Sequence, residues 1–340
     1  ALAALQAPAA TLPTQDARSA AWLSERLGRT IEPCTGTVLA DGSPDAALAD
    51  GLIALRLVHD EAAIAQLRAV AEATAIAQAE GMGATHPGAT EAEVLAAIVQ
   101  SLRRRGLDDS FQPIVTVRGE VLHNEDHTGV TQAGDLLLAD VGGETDEGWA
   151  ADITRTYPVS GTFSATQKAI YEVVLGAELD AIAAAQVGAG YRAVHEAAKR
   201  ATVQGLRDLG IFRGDVDGLL ERGAAAIFFP HGVGHLIGLG THDPGGYARG
   251  RKKSEAPLLR YLRADLPLEA GMVVTVEPGV YFIEVAIKDP ERRAQFADSV
   301  DWERAESLIP LGGVRIEDTV HVTSGDPEVL TEAISKSILP

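Results

Sequence analysis

The stretch LLLADVGGETDEGWAADITRTY, Leu136 to Tyr157, sets two apolar runs around a Gly- and Asp-rich connection, with Asp140 closing the first run and Asp152 opening the second. Runs of this kind read as the two strands of a hairpin. A carboxylate stranded inside a sheet costs roughly several kcal/mol unless something positive meets it. The pattern recurs downstream, where Glu277 follows Val273, Val274, Thr275 and Val276, and Glu317 follows Val314, Arg315 and Ile316. No comparable set of apolar-flanked Lys or Arg residues is present to neutralise four such acids. Taken alone, a buried Asp reads as a hydrogen-bonded structural residue. Four acids joined by His235 make a hard, oxygen-rich set with one imidazole, which is the chemistry of a divalent-metal site.

Working outward, residues 16–27 read as a short helix and the Gly- and Asp-containing residues 40–51 as a loop or domain joint. An Ala-rich amphipathic pattern over residues 60–81, with Ile64, Leu67, Val70 and Ala71, predicts a long helix. A second helix opens at Thr90, where Glu93 completes a capping box, and stops at Gly106 after Arg103, Arg104 and Arg105. Those arginines read as a solvated helix end. Strands are predicted over residues 114–117, 136–141 and 153–157. Helices return with the Ser164 and Gln167 capping box, running to about Gln186, and after Gly190 as far as Leu209. Strand-like segments follow at 227–229, 272–277 and 314–323. Two helices followed by strands bearing two acids thus occur twice, which predicts two similar halves clasping one site.

The bulk composition narrows the partners. A chain of 340 residues, 46% hydrophobic, can bury a large core, and its length predicts a large domain at 56–340 behind a short one at 1–55. A net charge of −19 opposes nucleic acid and anionic membranes, although carboxylates that sequester metal inflate the figure. The single cysteine, Cys34, excludes an internal disulfide, fits a reducing compartment and reads as a buried structural thiol. No run has the length of a membrane-spanning helix and residues 1–12 lack the basic start of an export signal, so a cytoplasmic location is expected. The first methionine is Met82, so the numbering is expected to begin inside a longer natural product.

Within His231-Gly232-Val233-Gly234-His235 the two histidines resemble the pair of helical zinc proteases only superficially. Gly232 and Gly234 disfavour a helix, and the Glu of that motif is missing. In an extended segment, residues four apart still share a face, so one histidine can ligate while the other contacts substrate. Taken singly, each reads as a satisfied core or surface residue; His242 close behind them, among glycines, shifts that balance. Arg315 and Glu317 are two apart and point the same way, with Asp318 opposite. Arg315 can orient the ligand, bind an anionic group, or form an ordinary ion pair.

Leu122-His123-Asn124, Asp140 through Asp152-Ile153-Thr154-Arg155-Thr156, Pro230 through His235, Val276-Glu277-Pro278-Gly279 and Val314 through Asp318 occur in this order. They resemble the successive signatures of the pita-bread metallopeptidases, over roughly residues 55–325. The resemblance implies an α+β pita-bread fold with pseudo-two-fold halves, preceded by a short α/β N-terminal segment. Within the family the runs His242 to Tyr247, Leu259 to Arg263 and Gly279 to Ile283 look most like prolidase, with aminopeptidase P next.

Residue by residue, Asp140, Asp152, His235, Glu277 and Glu317 match the ligands of a two-metal centre, with Asp152 and Glu317 bridging. His123, His231 and His242 match substrate-side histidines, and Arg263 and Arg315 match positions that grip or order a substrate carboxylate. The activity implied is hydrolysis of the bond before proline in Xaa-Pro dipeptides by a metal-bridging hydroxide, with Glu277 shuttling the proton. The alternative is aminopeptidase P action on longer Xaa-Pro peptides. Two divalent ions are implied, with manganese expected and cobalt, zinc or iron able to occupy the same cage. A homodimer is implied as well.

Two departures stand out. The Asp140 to Asp152 interval is one residue longer than the family's commonest, so a bulge or looser turn near residues 145–148 has to keep both acids on one face. The front of about 55 residues is shorter than the family's usual amino-terminal domain. A non-catalytic binding protein of this fold is the rival from another class, and the filled ligand set and acidic charge oppose it. A metal-free, creatinase-like enzyme would lack the full set.

Overall fold

The computed structural model describes residues 9–12, 14–33, 42–246, 253–256 and 258–337. Cys34 and Tyr247 lie outside them, so the expected buried thiol and the end of the His242 run are not described. The chain divides into two compact units, residues 1–57 and 58–340. Described residues of the first form two helices, α1 (Ala17–Leu27) and α2 (Pro44–Leu57). Asp16 caps α1, its carboxylate accepting from the Arg18 and Ser19 N–H groups, and Gly28 closes it at a φ of +64°. α2 corrects the expected loop at 40–51. Proline at the first helical position is already set for helix, and Ala46, Ala47 and Ala49 outweigh Gly51.

The second unit starts with α3 (Glu61–Ala84) and α4 (Glu91–Arg104), packed so closely that a Cβ at Gly81 would overlap the Ile98 side chain. The Thr90 capping box forms, and Gly106 takes a φ of +73° beyond the helix end. Next come β1 (Asp108–Asp109), β2 (Ile114–Thr116), β3 (Leu136–Val141), β4 (Gly143–Glu144) and β5 (Ile153–Pro158). β3 lies between β2 and β5 in an antiparallel sheet, and β1 pairs with β4. This sheet and the two helices enclose a core that includes Ile64, Leu67, Val94, Ile98, Leu137 and Ala139.

The arrangement then repeats. α5 (Ala165–Ala184), with its Ser164 capping box, and α6 (Tyr191–Asp208) pack together and lead into β6 (Val273–Val276) and β7 (Gly279–Tyr281), then β8 (Gly313–Arg315), β9 (Asp318–His321) and β10 (Glu328–Val329). β9 lies between β6 and β10, and β7 pairs with β8, all antiparallel. A second core including Ile170, Val174, Leu206, Phe212, Phe228 and Phe282 fills this half.

Two further expectations need correction. Residues 227–229 are no strand: Ile227 ends a 3-10 helix begun at Ala224, and Phe228 and Phe229 are buried beyond it. A short apolar run carries no periodicity that separates the two states. The single strand expected over 314–323 is split between β8 and β9, because Glu317 leaves the ladder to bond with Thr154 across the molecule. No helix among the described residues is long and apolar enough to cross a membrane.

Candidate metal centre

The β3–β5 hairpin brings the first two acids together. Asp140 pairs opposite Thr154, so Asp140, Thr154 and Asp152 look out from one face of the sheet. The turn absorbs the longer interval where expected: the Gly148 N–H donates to the Thr145 carbonyl at 2.8 Å and Gly148 follows in the left-handed region, a looser turn closed by a glycine bulge. The register runs without a break from Leu136 opposite Pro158, through Glu144 bridging Ala150, to the Thr145 N–H donating to the Trp149 carbonyl at 3.0 Å. Asp146, Glu147 and Gly148 form the loop, and Gly148 supplies a φ of +94° that other residues adopt only with strain.

His235 arrives on an extended segment alongside β6. The Glu277 N–H donates to the Val233 carbonyl at 2.7 Å and the Thr275 N–H to that of His235 at 2.8 Å. Gly234 makes this approach possible, with a φ of +152° and a position where a Cβ would overlap the Thr275 carbonyl. The His235 Nδ1 lies 3.0 Å from the Leu236 carbonyl, which can only accept. Nδ1 therefore carries the proton, and the Nε2 lone pair faces the carboxylates. From Nε2, Asp152 Oδ2 is 3.5 Å away and Glu277 Oε1 4.0 Å.

Glu317 lies opposite Thr154, which fixes it twice: its N–H donates to the Thr154 carbonyl at 3.0 Å, and its Oε2 accepts from the Thr154 hydroxyl at 2.7 Å. One ligand atom from each of Asp152, His235 and Glu317 falls within 4.8 Å of the others. Asp140 is turned toward Arg315, whose Nη2 donates to Oδ2 at 2.6 Å. The rest of the Arg315 fork is engaged too, with Nε on the Thr154 hydroxyl at 3.2 Å and Nη1 on the Tyr281 hydroxyl at 3.1 Å. That hydroxyl lies 2.9 Å from His231 Nε2.

All ten residues singled out by sequence line one cavity of about 460 Å³: His123, Asp140, Asp152, His231, His235, His242, Arg263, Glu277, Arg315 and Glu317. His242 sets its ring perpendicular to that of His235, with centroids 4.3 Å apart. His123 and Arg263 are exposed, and Phe111, Leu122, Glu125 and Thr241 complete much of the wall. Sequence reasoning assigned no role to Thr154 or Tyr281. Thr154 lies two residues from Asp152, so strand alternation was the signal for it, whereas Tyr281 is on β7, beyond the break at Glu277 and Pro278, and carried no such signal.

The electrostatics show what the cavity lacks. Burial, then the neighbouring Glu317, Asp140 and Glu277 carboxylates, pushes Asp152 far above the usual carboxylate range. Burial, then Glu277 and Asp140, does the same to Glu317 despite Arg315. Burial, opposed by Arg315, pushes Glu277 up to about 7. His235 is driven down to about 3, chiefly by burial, and so is neutral and able to ligate. Asp140 Oδ1 and Asp152 Oδ1 are buried with no hydrogen-bond partner. Carboxylates that destabilise one another, orphaned oxygens and a free imidazole lone pair together fit divalent cations.

Residues 65–324 match metallopeptidase family M24. A probable Xaa-Pro aminopeptidase of Aspergillus niger is 38% identical over 287 residues, covering 82% of this chain and 61% of the relative. One from Talaromyces stipitatus is 37% identical over the same shares. The chain thus spans about three fifths of the length of these curated relatives. Among solved structures, aminopeptidase P from E. coli with the inhibitor Pro-Leu superposes with a TM-score of 0.70 at 33% identity, over 84% of this chain and 58% of that one. The Pseudomonas aeruginosa aminopeptidase PepP gives 0.71 at 28%, over 96% and 80%. The fold is the α+β pita-bread fold, and the relatives favour the aminopeptidase alternative over the dipeptidase expected first. With its fold, its acidic cavity and most of its length in agreement, the chain belongs to metallopeptidase family M24.

Proposed function

We propose that the chain is a metal-dependent Xaa-Pro aminopeptidase, releasing the first residue from peptides whose second residue is proline. What carries the reading is a cavity lined by four carboxylates, three of them buried and Glu277 partly so, and one buried imidazole, in a chain 33% identical to an aminopeptidase P over 84% of its length. Asp140, Asp152, His235, Glu277 and Glu317 would hold two divalent ions, with manganese the first choice for so oxygen-rich a set. When bound, such ions supply Lewis acidity and lower the pKa of water toward neutrality.

The chain's own residues would do the rest. Glu277, at the cavity wall, takes the proton released by the attacking water and delivers it to the proline nitrogen as the C–N bond breaks. That nitrogen carries no N–H in the substrate, so recognition rests on ring shape. His231, oriented by Tyr281, together with His123 and His242, faces the substrate. Arg315 is committed to Asp140, Thr154 and Tyr281, and so orders the site. Arg263 lines the mouth and has no ion pair among the described residues, which leaves it free for a peptide carboxylate and keeps the dipeptidase as the second reading. By the resemblance, the protein would act as a homodimer.

Hydrolysis of Ala-Pro-Ala against Ala-Pro, with manganese and then with excess chelator, decides between the readings. Aminopeptidase action predicts alanine release from the tripeptide well above that from the dipeptide, abolished by chelation. A strong preference for Ala-Pro would establish the dipeptidase instead, and turnover that survives chelation would sink both.

A further inference from the structure

Behind the cavity, on the opposite face of the same strands, a second buried charged group holds the backbone of Glu317. Arg155 is 1% exposed and its guanidinium is a junction: Nη1 donates to the Glu317 carbonyl at 2.7 Å and the Thr154 carbonyl at 3.0 Å, while Nη2 donates to Asp318 Oδ1 at 2.7 Å and the Ile334 carbonyl at 2.9 Å. Asp318, fully buried, also accepts from the Thr331 hydroxyl at 2.6 Å and from the Lys336 ammonium. The same Thr331 hydroxyl accepts from the Thr319 N–H at 3.1 Å. Tyr171 of α5 ties the segment down, its hydroxyl donating to the Lys336 carbonyl at 2.8 Å. Residues 331–336 therefore strap across the back of the Glu317–Asp318 segment where β9 begins, outside every motif of the site.

We infer that Thr331 and Lys336 are positioning residues for the metal ligand Glu317, holding Asp318 and Arg155 so that the Glu317 backbone cannot retreat from the cavity. This rests on the metal reading above. Glu317 is held from the front by Thr154 and from behind by Arg155. With the rear clamp slack, its carboxylate loses the fixed placement that ligation requires.

The sign of the effect separates positioning from plain charge. Lys336 is a cation behind the site, against Asp318 and 3.9 Å from Glu178, so deleting its charge would by Coulomb's law alone favour the binding of another cation and never weaken it. Positioning demands the reverse. Titration calorimetry of Mn²⁺ into metal-free protein should show Lys336→Met binding about tenfold more weakly than wild type, the usual scale for losing support behind a ligand. Thr331→Val, which alters no charge, should weaken binding by a smaller factor. Lys168→Met, which removes an exposed cation from α5, should bind as tightly as wild type or more so.

Equal or tighter binding by Lys336→Met overturns the inference, as does a fall in melting temperature with affinity intact, or an equal loss in Lys168→Met. If circular dichroism shows Lys336→Met unfolded, Thr331→Val decides, and wild-type affinity there is equally fatal. A wild-type protein that binds no Mn²⁺ would instead bring down the metal reading, and this inference with it.

Discussion

Glu317 and Asp318 are neighbours in sequence where β9 begins, both buried to within 2% exposure, and they point to opposite sides of the chain with opposite electrostatic fates. Burial pushes Glu317 up, joined by Glu277 and Asp140. Burial acts on Asp318 as well, yet Arg155 and Lys336 outweigh it and hold that carboxyl below its ordinary range. Behind the strand the fold has supplied its own cations, and the carboxylate is structural. In front, the one buried guanidinium among the described residues lining the cavity, Arg315, is already bound to Asp140. The comparison teaches that burial of an acid does not by itself mark a site. What marks it is the countercharge that the chain leaves to be supplied from outside.

Neutralising each acid in turn should break the symmetry of the pair. On the proposed reading Glu317→Gln alters a metal ligand, so peptidase activity should fall at least about a thousandfold, corresponding to roughly 4 kcal/mol of lost transition-state stabilisation. The metal-free variant should nevertheless melt higher than metal-free wild type, by about 2 °C or more, because a repelled buried charge has gone. Asp318→Asn should do the opposite. It leaves Arg155 and Lys336 facing a neutral amide, which should cost about 3 kcal/mol in denaturant unfolding whether or not metal is present. If both variants lower metal-free stability alike, the distinction between the two faces is lost.

The front face was the legible one. Acids at the ends of apolar runs, alternation along strands and glycines where a chain must pass close are local patterns. Together with the capping residues they sufficed for eight of the ten cavity residues, the two capping boxes and the repeated layout of helices and strands, whereas His123 and Arg263 came only from the resemblance to the family. The back face left no such trace. Thr331, Ile334 and Lys336 form no periodic pattern; Thr331 and Lys336 meet Asp318 only when the chain turns back over 13 and 18 residues, and Ile334 and Lys336 also meet Arg155 and Tyr171 from more than a hundred positions away. Tyr281 sat inside a recognised run but its bond to Arg315 depends on β7 pairing with β8, a non-local fact. Residues 227–229 and 40–51 misled for the contrary reason, since a short apolar run and a Gly-containing run carry too little local information. The choice between aminopeptidase and dipeptidase came from relatives, because both activities call on the same ligands.

A third carboxylate sharpens the comparison at its weak end. Glu328, on β10, is partly open to solvent, and its oxygens accept from Arg68 at 2.6 and 2.8 Å and lie 2.8 Å from His321 Nδ1. The Arg68 hydrogen bond chiefly, opposed by burial and helped by His321, holds its carboxyl down at about 2, against an ordinary value of 4.5. A depressed carboxyl stabilises the fold fully above the unfolded-state value and loses that contribution as pH falls through the folded one. Wild type should therefore be more stable than Glu328→Gln at pH 7, with the margin shrinking between about pH 4.5 and pH 2. Because water screens a half-open pair, the margin at pH 7 should stay below about 1 kcal/mol, smaller than the Asp318→Asn loss. Denaturant melts of both proteins at each pH measure it, since the rest of the chain's acid titration cancels in the difference. A margin independent of pH would show that Glu328 contributes by packing and not by charge. A margin as large as that of Asp318 would show that burial is not what separates the two.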